Sequence, residues 1–487
     1  MENVLEYLEQ AADEYPEKVA LSDGEQSITY REYLHLAKKT GRMLLKRGVK
    51  AGDYVGVMAE KSLYTPVMFM GVLCAGCAYV PLDSDLPDEK MERIIDRAGI
   101  NIIVRAADVM ELACCFEDEY GIIKLADEDM PMCVMFTSGS TGIPKGVVKT
   151  HGAMIDFVES FSATFPMEKD EVIGNQTPFF FDASAKDIYL SIKYSATLQI
   201  IPKSLFMTPV KLVEYLNEYK VSTIFWVPSA LYIIGKTGTL QEVKPKFLKN
   251  VFFVGEAMLV ECINIWRYAL PNVRYVNLYG SSEMAGVCCY YEIELREQFD
   301  EKKGVPIGKA FDNCEVILDD DEILVSSKTL FKEYLNDAEK TDAVLVNMDY
   351  GSGYKTYLRT GDHAYYNDNN DLVFIGRKDF QIKHKGYRIE LGEIEAVANE
   401  LPFVDRSACV YDKKHGEIVI WCECKDLRDI SSEQRCQRGK EIRAHFLSKL
   451  PRYMMPRGYM IDRMPLNANG KIDRMELLDR LKYIAHA

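Results

Sequence analysis

From residue 54 to residue 280 the chain keeps returning to short, largely apolar runs rich in β-branched and aromatic residues. YVGVMA (54–59), NIIVRA (101–106), TIFWVP (223–228), VFFVG (251–255) and VRYVNLYG (273–280) are such runs. Between them lie segments with apolar residues at helical spacing, among them IDFVESFSATF, MTPVKLVEYLNEY and CINIWRYAL, beginning at 155, 207 and 262. A strand that is apolar at every position has both faces covered, and the intervening helices are what cover them. The pattern predicts an α/β fold of layered, helix-covered sheets. Val4, Leu5, Leu8, Ala11 and Ala12 mark an opening helix.

Past residue 300 the pattern changes. EVILDDDEILVSS (315–327) and DNNDLVFIGRKD (368–379) are short strands with polar turns, which predicts a β-rich subdomain with a solvated hairpin turn at Asp319–Glu322. From Asp379 onward strands mix with helices such as GEIEAVANEL and SEQRCQRGKEIRAHFLSKL. The expected organisation is a large N-terminal domain over 1–378 and a small α+β domain over 379–487, within reach of a 487-residue chain.

Ser62–Leu82 carries no charge and is long enough to span a bilayer. Gly71, Gly76 and Pro81 interrupt it, so it reads as a buried helix followed by a core strand. The acidic, amphipathic N-terminus lacks the basic start and apolar run of a signal peptide. A formal net charge of −15 argues against nucleic acid and anionic membrane as partners. The 13 cysteines are scattered, with Cys114–Cys115 and Cys288–Cys289 adjacent and no paired CxxC spacing. They read as reduced, buried thiols of a cytoplasmic protein.

The strongest chemical signal is FTSGSTGIPKG, Phe136–Gly146. Gly139, Gly142 and Gly146 allow a tight backbone that approaches a ligand closely. Thr137, Ser138, Ser140 and Thr141 offer hydroxyls, Lys145 a cation, and successive N–H groups an anion-binding concavity. A passive linker has no need of the Pro-Lys-Gly end after the strand-like MCVMF. The loop is not a Walker A loop. Gly235-Lys236-Thr237 imitates one, but Ala230 stands where its first glycine is required.

FTSGSTGIPKG resembles the phosphate loop of the adenylate-forming superfamily, which contains acyl-CoA synthetases, luciferases and the adenylation domains of nonribosomal peptide synthesis. ITYREYL (28–34), AGCAYVPLD (75–83), FDAS (181–184), NLYGSSE (277–283), YLRTGD (357–362), GRKDFQIKHKGYRIELGEIE (376–395) and NANGKIDR (467–474) resemble its further motifs in the right order. Stand-alone amino-acid adenylation domains and D-alanine–carrier protein ligases are the nearest likeness.

The resemblance implies an ATP site containing the loop residues with Gly255, Asn277, Tyr279, Gly280, Ser282, Asp362 and Arg377. Tyr279 offers a face for adenine. Ser281-Ser282 replaces the usual Pro-Thr, and Ser282 keeps the hydroxyl. Glu283 would hold Mg²⁺, a hard cation that takes few protein carboxylates beside substrate phosphates. Its bland alternative is a surface carboxylate. Asp362 would accept the ribose hydroxyls, with Arg377 beside it; alone, such an Asp is a turn residue. Asp379 would be the hinge and Lys471 the catalytic lysine, presented by an Asn-Gly turn. Asp182 would pair with a substrate α-amino group, or alternatively cap the following helix.

The substrate wall implied by family position comprises Asp182, Ala183, Lys186, Phe225, Phe252, Val254, Leu278, Gly286 and Val287. Lys186 lies one helical turn after Asp182. Buried, it needs a partner: an acidic group of the substrate, or a protein carboxylate near Asp187 with a small apolar substrate such as alanine. The expected activity is ATP- and Mg²⁺-dependent formation of aminoacyl-AMP, with transfer to the phosphopantetheine thiol of a separate carrier protein. No carrier serine motif follows NANGKIDR. The alternatives are an acyl- or aryl-CoA ligase of the same fold and a non-catalytic nucleotide-binding protein.

Overall fold

The computed structural model describes residues 1–113, 127–137, 144–301, 303–349, 351, 353–377, 381–412, 415–425, 431–466 and 472–484, the side chains of 482–484 excepted. The chain divides into two units. Met1–Ser84, Ile95–Phe136 and Gly146–Lys378 form the larger; Asp85–Ile94, Thr137–Lys145 and Asp379–Ala487 form the smaller.

In the larger unit, the middle of a nine-stranded sheet is parallel. Thr197–Ile200, Val172–Asn175, Thr223–Trp226, Asn250–Val254 and Arg274–Tyr279 lie side by side in that order. Thr223–Trp226 is buried at every position, as an apolar run without alternation requires. A six-stranded sheet runs in the order Glu333–Tyr334, Lys145–Thr150, Pro131–Thr137, Ala78–Leu82, Tyr54–Met58, Ile103–Val104. An antiparallel five-stranded sheet contains Cys314–Asp319, Glu322–Ser327, Tyr354–Tyr366, Leu345–Asp349 and Leu372–Arg377. This is the layered α/β architecture with a β-rich subdomain.

Local chemistry fixes the helix starts. In ITYREYL the Thr29 hydroxyl accepts from the Glu32 N–H and the Glu32 carboxylate answers at Thr29 N, a capping box opening Tyr30–Lys46. Thr150 likewise caps His151–Thr164 by accepting from Ala153 N. That helix starts four residues before the predicted run, because the cap and not the apolar spacing sets its first turn. NIIVRA contributes only Ile103–Val104 to a sheet.

The uncharged stretch from Ser62 forms the helix Tyr64–Cys74, buried from Thr65 onward, and the buried strand Ala78–Leu82. No helix among the described residues is long and apolar enough to cross a membrane. The acidic turn at Asp319–Glu322 is a hairpin, as expected, with Asp320 and Asp321 at positive φ. Its flanking carboxylates are not merely solvated: Arg359 donates to both Asp319 and Glu322 at 2.7 Å. The described cysteines are free thiols, all buried except Cys436.

The smaller unit holds the hairpin Gln381–His384/Tyr387–Glu390, a three-stranded sheet of Val404–Asp412, Glu417–Cys424 and Gly458–Ile461, and the helices Leu391–Asn399, Ser432–Lys449 and Arg474–Ile484. Its core is its own, with Ile389, Ile394, Ile420, Ile442 and Phe446 completely buried. Strands and helices mix in it as expected, and beyond Asp379–Ala487 the unit also takes in Asp85–Ile94 and Thr137–Lys145.

Candidate active site

Tyr279, at the end of its strand, and Asp362, within Tyr354–Tyr366, meet in the core of the larger unit. The Tyr279 hydroxyl donates to Asp362 Oδ2 at 2.7 Å, and Arg377 Nη1 donates to Oδ1 at 2.7 Å. Antiparallel register sets Asp362 opposite Arg377. Asp362 is therefore no turn residue; it is a buried carboxylate with a donor on each oxygen. Burial and the neighbouring carboxylate hold the Tyr279 phenol well above its usual range. The Tyr279 ring lies 6.5 Å from Phe374. Asn277, also named for the nucleotide, commits its amide N–H to the Pro306 carbonyl at 2.7 Å.

Glu283 is 4% exposed, which removes the surface alternative. Tyr334 donates its hydroxyl to Glu283 Oε1 at 2.8 Å. The backbone around it is clamped: Phe331 N donates to the Glu283 carbonyl and Ala285 N to the Thr329 carbonyl. Among the described residues no three His, Cys, Asp or Glu side chains converge on one point. A buried carboxylate fits Mg²⁺, whose remaining ligands would be phosphate oxygens and water. Ser282 is partly buried beside it. Gly280 is sterically required, because a Cβ there would lie 2.7 Å from the Gly286 carbonyl.

Asp182 does not cap the helix Ser184–Lys193; Ala183 holds that position without a side-chain cap. Instead Lys149, completely buried in Lys145–Thr150, donates to Asp182 Oδ1 and, at 2.7 Å, to the Met284 carbonyl. Asp182 Oδ2 has no hydrogen-bond partner among the described residues, and the side chain is 15% exposed.

Lys186 is 3% exposed and makes no hydrogen bond or ion pair with any described residue. Burial lowers its ammonium below lysine's usual range. Asp187 does not pair with it. Asp187 accepts from Asn175 Nδ2 at 2.5 Å. Burial raises the Asp187 carboxyl and lowers the Lys61 ammonium nearby.

The apolar wall positions lie together. Phe225 is opposite Phe252, and Val254 opposite Leu278, on adjacent parallel strands. The Phe225 and Phe252 rings stack at 4.8 Å, and Phe161 packs on both. Val287 is buried as well. Gly286 has φ +89°, and a Cβ there would meet Phe157 at 2.2 Å, so this position admits only glycine. Gly255, at φ +96°, and Ala183 are partly buried.

Of the phosphate loop, Thr137 ends the strand Pro131–Thr137, and Lys145 opens the next strand, 3.7 Å from Glu390. Ser138, Gly139, Ser140, Thr141 and Gly142 lie outside the described residues, as do Asp379 and Lys471. The Walker imitation is the end of a helix, where exposed Lys236 pairs with Glu261. Lys149 and Tyr334 also belong to the site, though no motif in the sequence contains them as site residues. Nothing local marks either: GVVKT does not alternate, and Tyr334 reaches Glu283 across 51 residues.

A family model described as AMP-binding enzyme matches residues 8–335. Surfactin synthase subunit 1 of Bacillus subtilis (strain 168) is 30% identical over 508 residues, covering 97% of this chain and 14% of its own. The chain spans no more than a fifth of the first curated relatives it matches. Among solved structures, the Vibrio cholerae adenylation domain AlmE in complex with glycyl-adenosine-5'-phosphate superposes with TM-score 0.83 at 20% identity, over 99% of this chain and 98% of that one. The o-succinylbenzoate CoA synthetase MenE of Bacillus subtilis gives TM-score 0.80 at 21% identity, over 97% and 98%. At these identities the structures share the fold.

Proposed function

The chain belongs to the AMP-binding enzyme family, and from that premise we propose that it activates an amino acid as aminoacyl-AMP and passes it to the phosphopantetheine thiol of a separate carrier protein. It is an adenylate-forming enzyme of the adenylation-domain type. The substrate and acceptor are our reading.

The observation that carries the amino-acid reading is Asp182. It is a mostly buried carboxylate with one oxygen held by Lys149 and the other accepting no hydrogen bond from any described residue. A substrate α-ammonium is the complement of that second oxygen.

In the first half-reaction a substrate carboxylate oxygen bonds to the α-phosphorus of ATP, and the bond to pyrophosphate breaks. In the second, a thiol sulfur bonds to the acyl carbon and AMP leaves. Asp362 and Arg377 would hold the ribose, Tyr279 the base, and Thr137–Lys145 the phosphates. Glu283 would hold Mg²⁺, which screens phosphate charge when bound. Lys471 would stabilise the charge that develops as the carboxylate attacks. Asp379 would be the hinge that lets the smaller unit reorient between the half-reactions.

Lys186 supports a narrower reading: a buried lysine that makes no hydrogen bond or ion pair with a described residue, and feels only the through-space attraction of Asp182 and Asp187, is matched by an acidic substrate side chain. Pyrophosphate exchange with a panel of amino acids, followed by transfer to holo-carrier or free coenzyme A, tests the proposal. Amino-acid-dependent exchange with carrier-dependent turnover is expected. Exchange only with acids lacking an α-amino group, and turnover on coenzyme A alone, would establish the CoA-ligase reading instead.

A further inference from the structure

Lys149 is a charged residue on a strand whose last five positions are all buried. Such a residue destabilises a core unless its charge is matched. Here the match is Asp182, and the second donor contact is the Met284 carbonyl at 2.7 Å. Both partners bear on the proposed reaction: Asp182 is the amine acceptor, and Met284 directly follows Glu283 in the chain. The same strand pairs Val147 with Tyr334, whose hydroxyl holds Glu283. One strand, directly after the phosphate loop, thus reaches the acid site by a side chain and the metal carboxylate by its register.

We propose that Lys149 is a specificity-determining positioning residue: it holds Asp182 by Oδ1 so that Oδ2 faces the ligand ammonium, and it ties that carboxylate to the segment carrying Glu283. The proposal rests on the reading that Asp182 receives a substrate amine. The alternative is a purely structural pair. Chemistry separates them. A pair kept only for packing would affect all substrates alike. A pair that sets Asp182 acts on ligands that carry an ammonium and spares those that do not.

Lys149→Met keeps the length of the stem and removes the charge. It leaves Asp182 unpaired and can destabilise the fold, so the test includes two controls. Asp182→Asn removes the acceptor. The double variant Lys149→Met/Asp182→Asn removes both charges, a change that buried pairs tolerate better than the loss of one partner. Pyrophosphate exchange is measured with alanine, aspartate and glutamate and with their 2-hydroxy counterparts lactate, malate and 2-hydroxyglutarate.

The expected result is a fall in kcat/KM of about tenfold or more for the amino acids in Lys149→Met, carried by their KM. The hydroxy acids and the KM for ATP should change little, and the double variant should be no worse than Asp182→Asn. Equal losses on amino and hydroxy acids in Lys149→Met, or losses that multiply in the double variant, would overturn the proposal while leaving the amine reading intact. If Asp182→Asn itself fails to distinguish amino from hydroxy acids, the amine reading falls. Absence of exchange with every amino acid in the unaltered protein has the same consequence, and this proposal falls with it.

Discussion

The hydroxyl of Tyr279 donates to Oδ2 of Asp362 at 2.7 Å across 83 positions of sequence, and both groups are buried. Arg377 completes the cluster on the other oxygen. Each donor holds a carboxylate in place without using all of its lone pairs, which leaves acceptor capacity for hydroxyl donors.

Removing the carboxylate should therefore cost more than removing one donor. Asp362→Ala takes the buried acceptor away from both Arg377 and Tyr279, and a loss of about 3–5 kcal/mol is expected on urea unfolding. Tyr279→Phe should cost about 1.5–3 kcal/mol, the range for a hydrogen bond to a charged group. Both should raise the KM for ATP in pyrophosphate exchange. An unchanged KM for ATP in Asp362→Asn would remove Asp362 from the nucleotide site.

Lys471 and Asp379 are tested by separating the half-reactions. Lys471→Ala should cut acyl-AMP formation by about two to three orders of magnitude, the scale of losing a preorganised charge stabiliser. Thiol transfer from preformed acyl-AMP should largely survive. Asp379→Pro, which fixes one backbone torsion, should slow one half-reaction far more than the other. Equal losses in both half-reactions for Lys471→Ala would point to a different role, and normal rates in Asp379→Pro would dismiss the hinge.

The fold was legible because its sheet positions carry undivided apolar runs. Thr223–Trp226 and Asn250–Val254 lie within two residues of TIFWVP and VFFVG at each end. Runs in which paired neighbours and not composition decide the length were misjudged, as NIIVRA shows. In the site, the resemblance brought Tyr279, Asp362 and Arg377 to notice, and the structure brings them into contact. Lys149 and Tyr334 escaped for a physical reason. In a strand covered on both faces, alternation no longer reports which side chains point inward. GVVKT therefore gives no sign that its lysine is buried. The Tyr334 contact with Glu283 closes across 51 residues, a distance no local pattern encodes.

His151, next to the Thr150 cap, gives a pH dependence. It is 5% exposed and its Nδ1 accepts from the Val4 N–H at 3.4 Å. Burial pulls the imidazole from 6.5 down to about 4. A depressed folded value means that the contribution is fully present above the unfolded value. It is lost as pH falls through the folded one. Between those limits stability should fall by up to about 1.4 kcal/mol per pH unit on account of this group. His151→Gln should remove that share of the slope, measured by urea unfolding at pH 7, 5.5 and 4.5. A slope unchanged by the substitution would mean that another group carries it.

Lys186 gives the sharpest statement about substrate choice. Two carboxylates lie in its vicinity, yet neither pairs with it: Lys149 holds Asp182, and Asp187 accepts from Asn175. A neutral amino acid such as alanine would leave the ammonium with only the through-space attraction of Asp182 and Asp187, whereas glutamate or aspartate would bring a direct counter-ion. Charge-assisted hydrogen bonds are the strong class, so discrimination of about tenfold or more is expected. In pyrophosphate exchange the unaltered protein should prefer glutamate or aspartate to alanine. Lys186→Met should lose that preference through the KM of the acidic substrates, with alanine unchanged or improved, because removing a buried charge that no described residue hydrogen-bonds relieves the core. If acidic substrates are indifferent to Lys186→Met, the ammonium does not meet the side chain. A small apolar substrate then becomes the better fit to the wall formed by Phe225, Phe252, Val254 and Leu278.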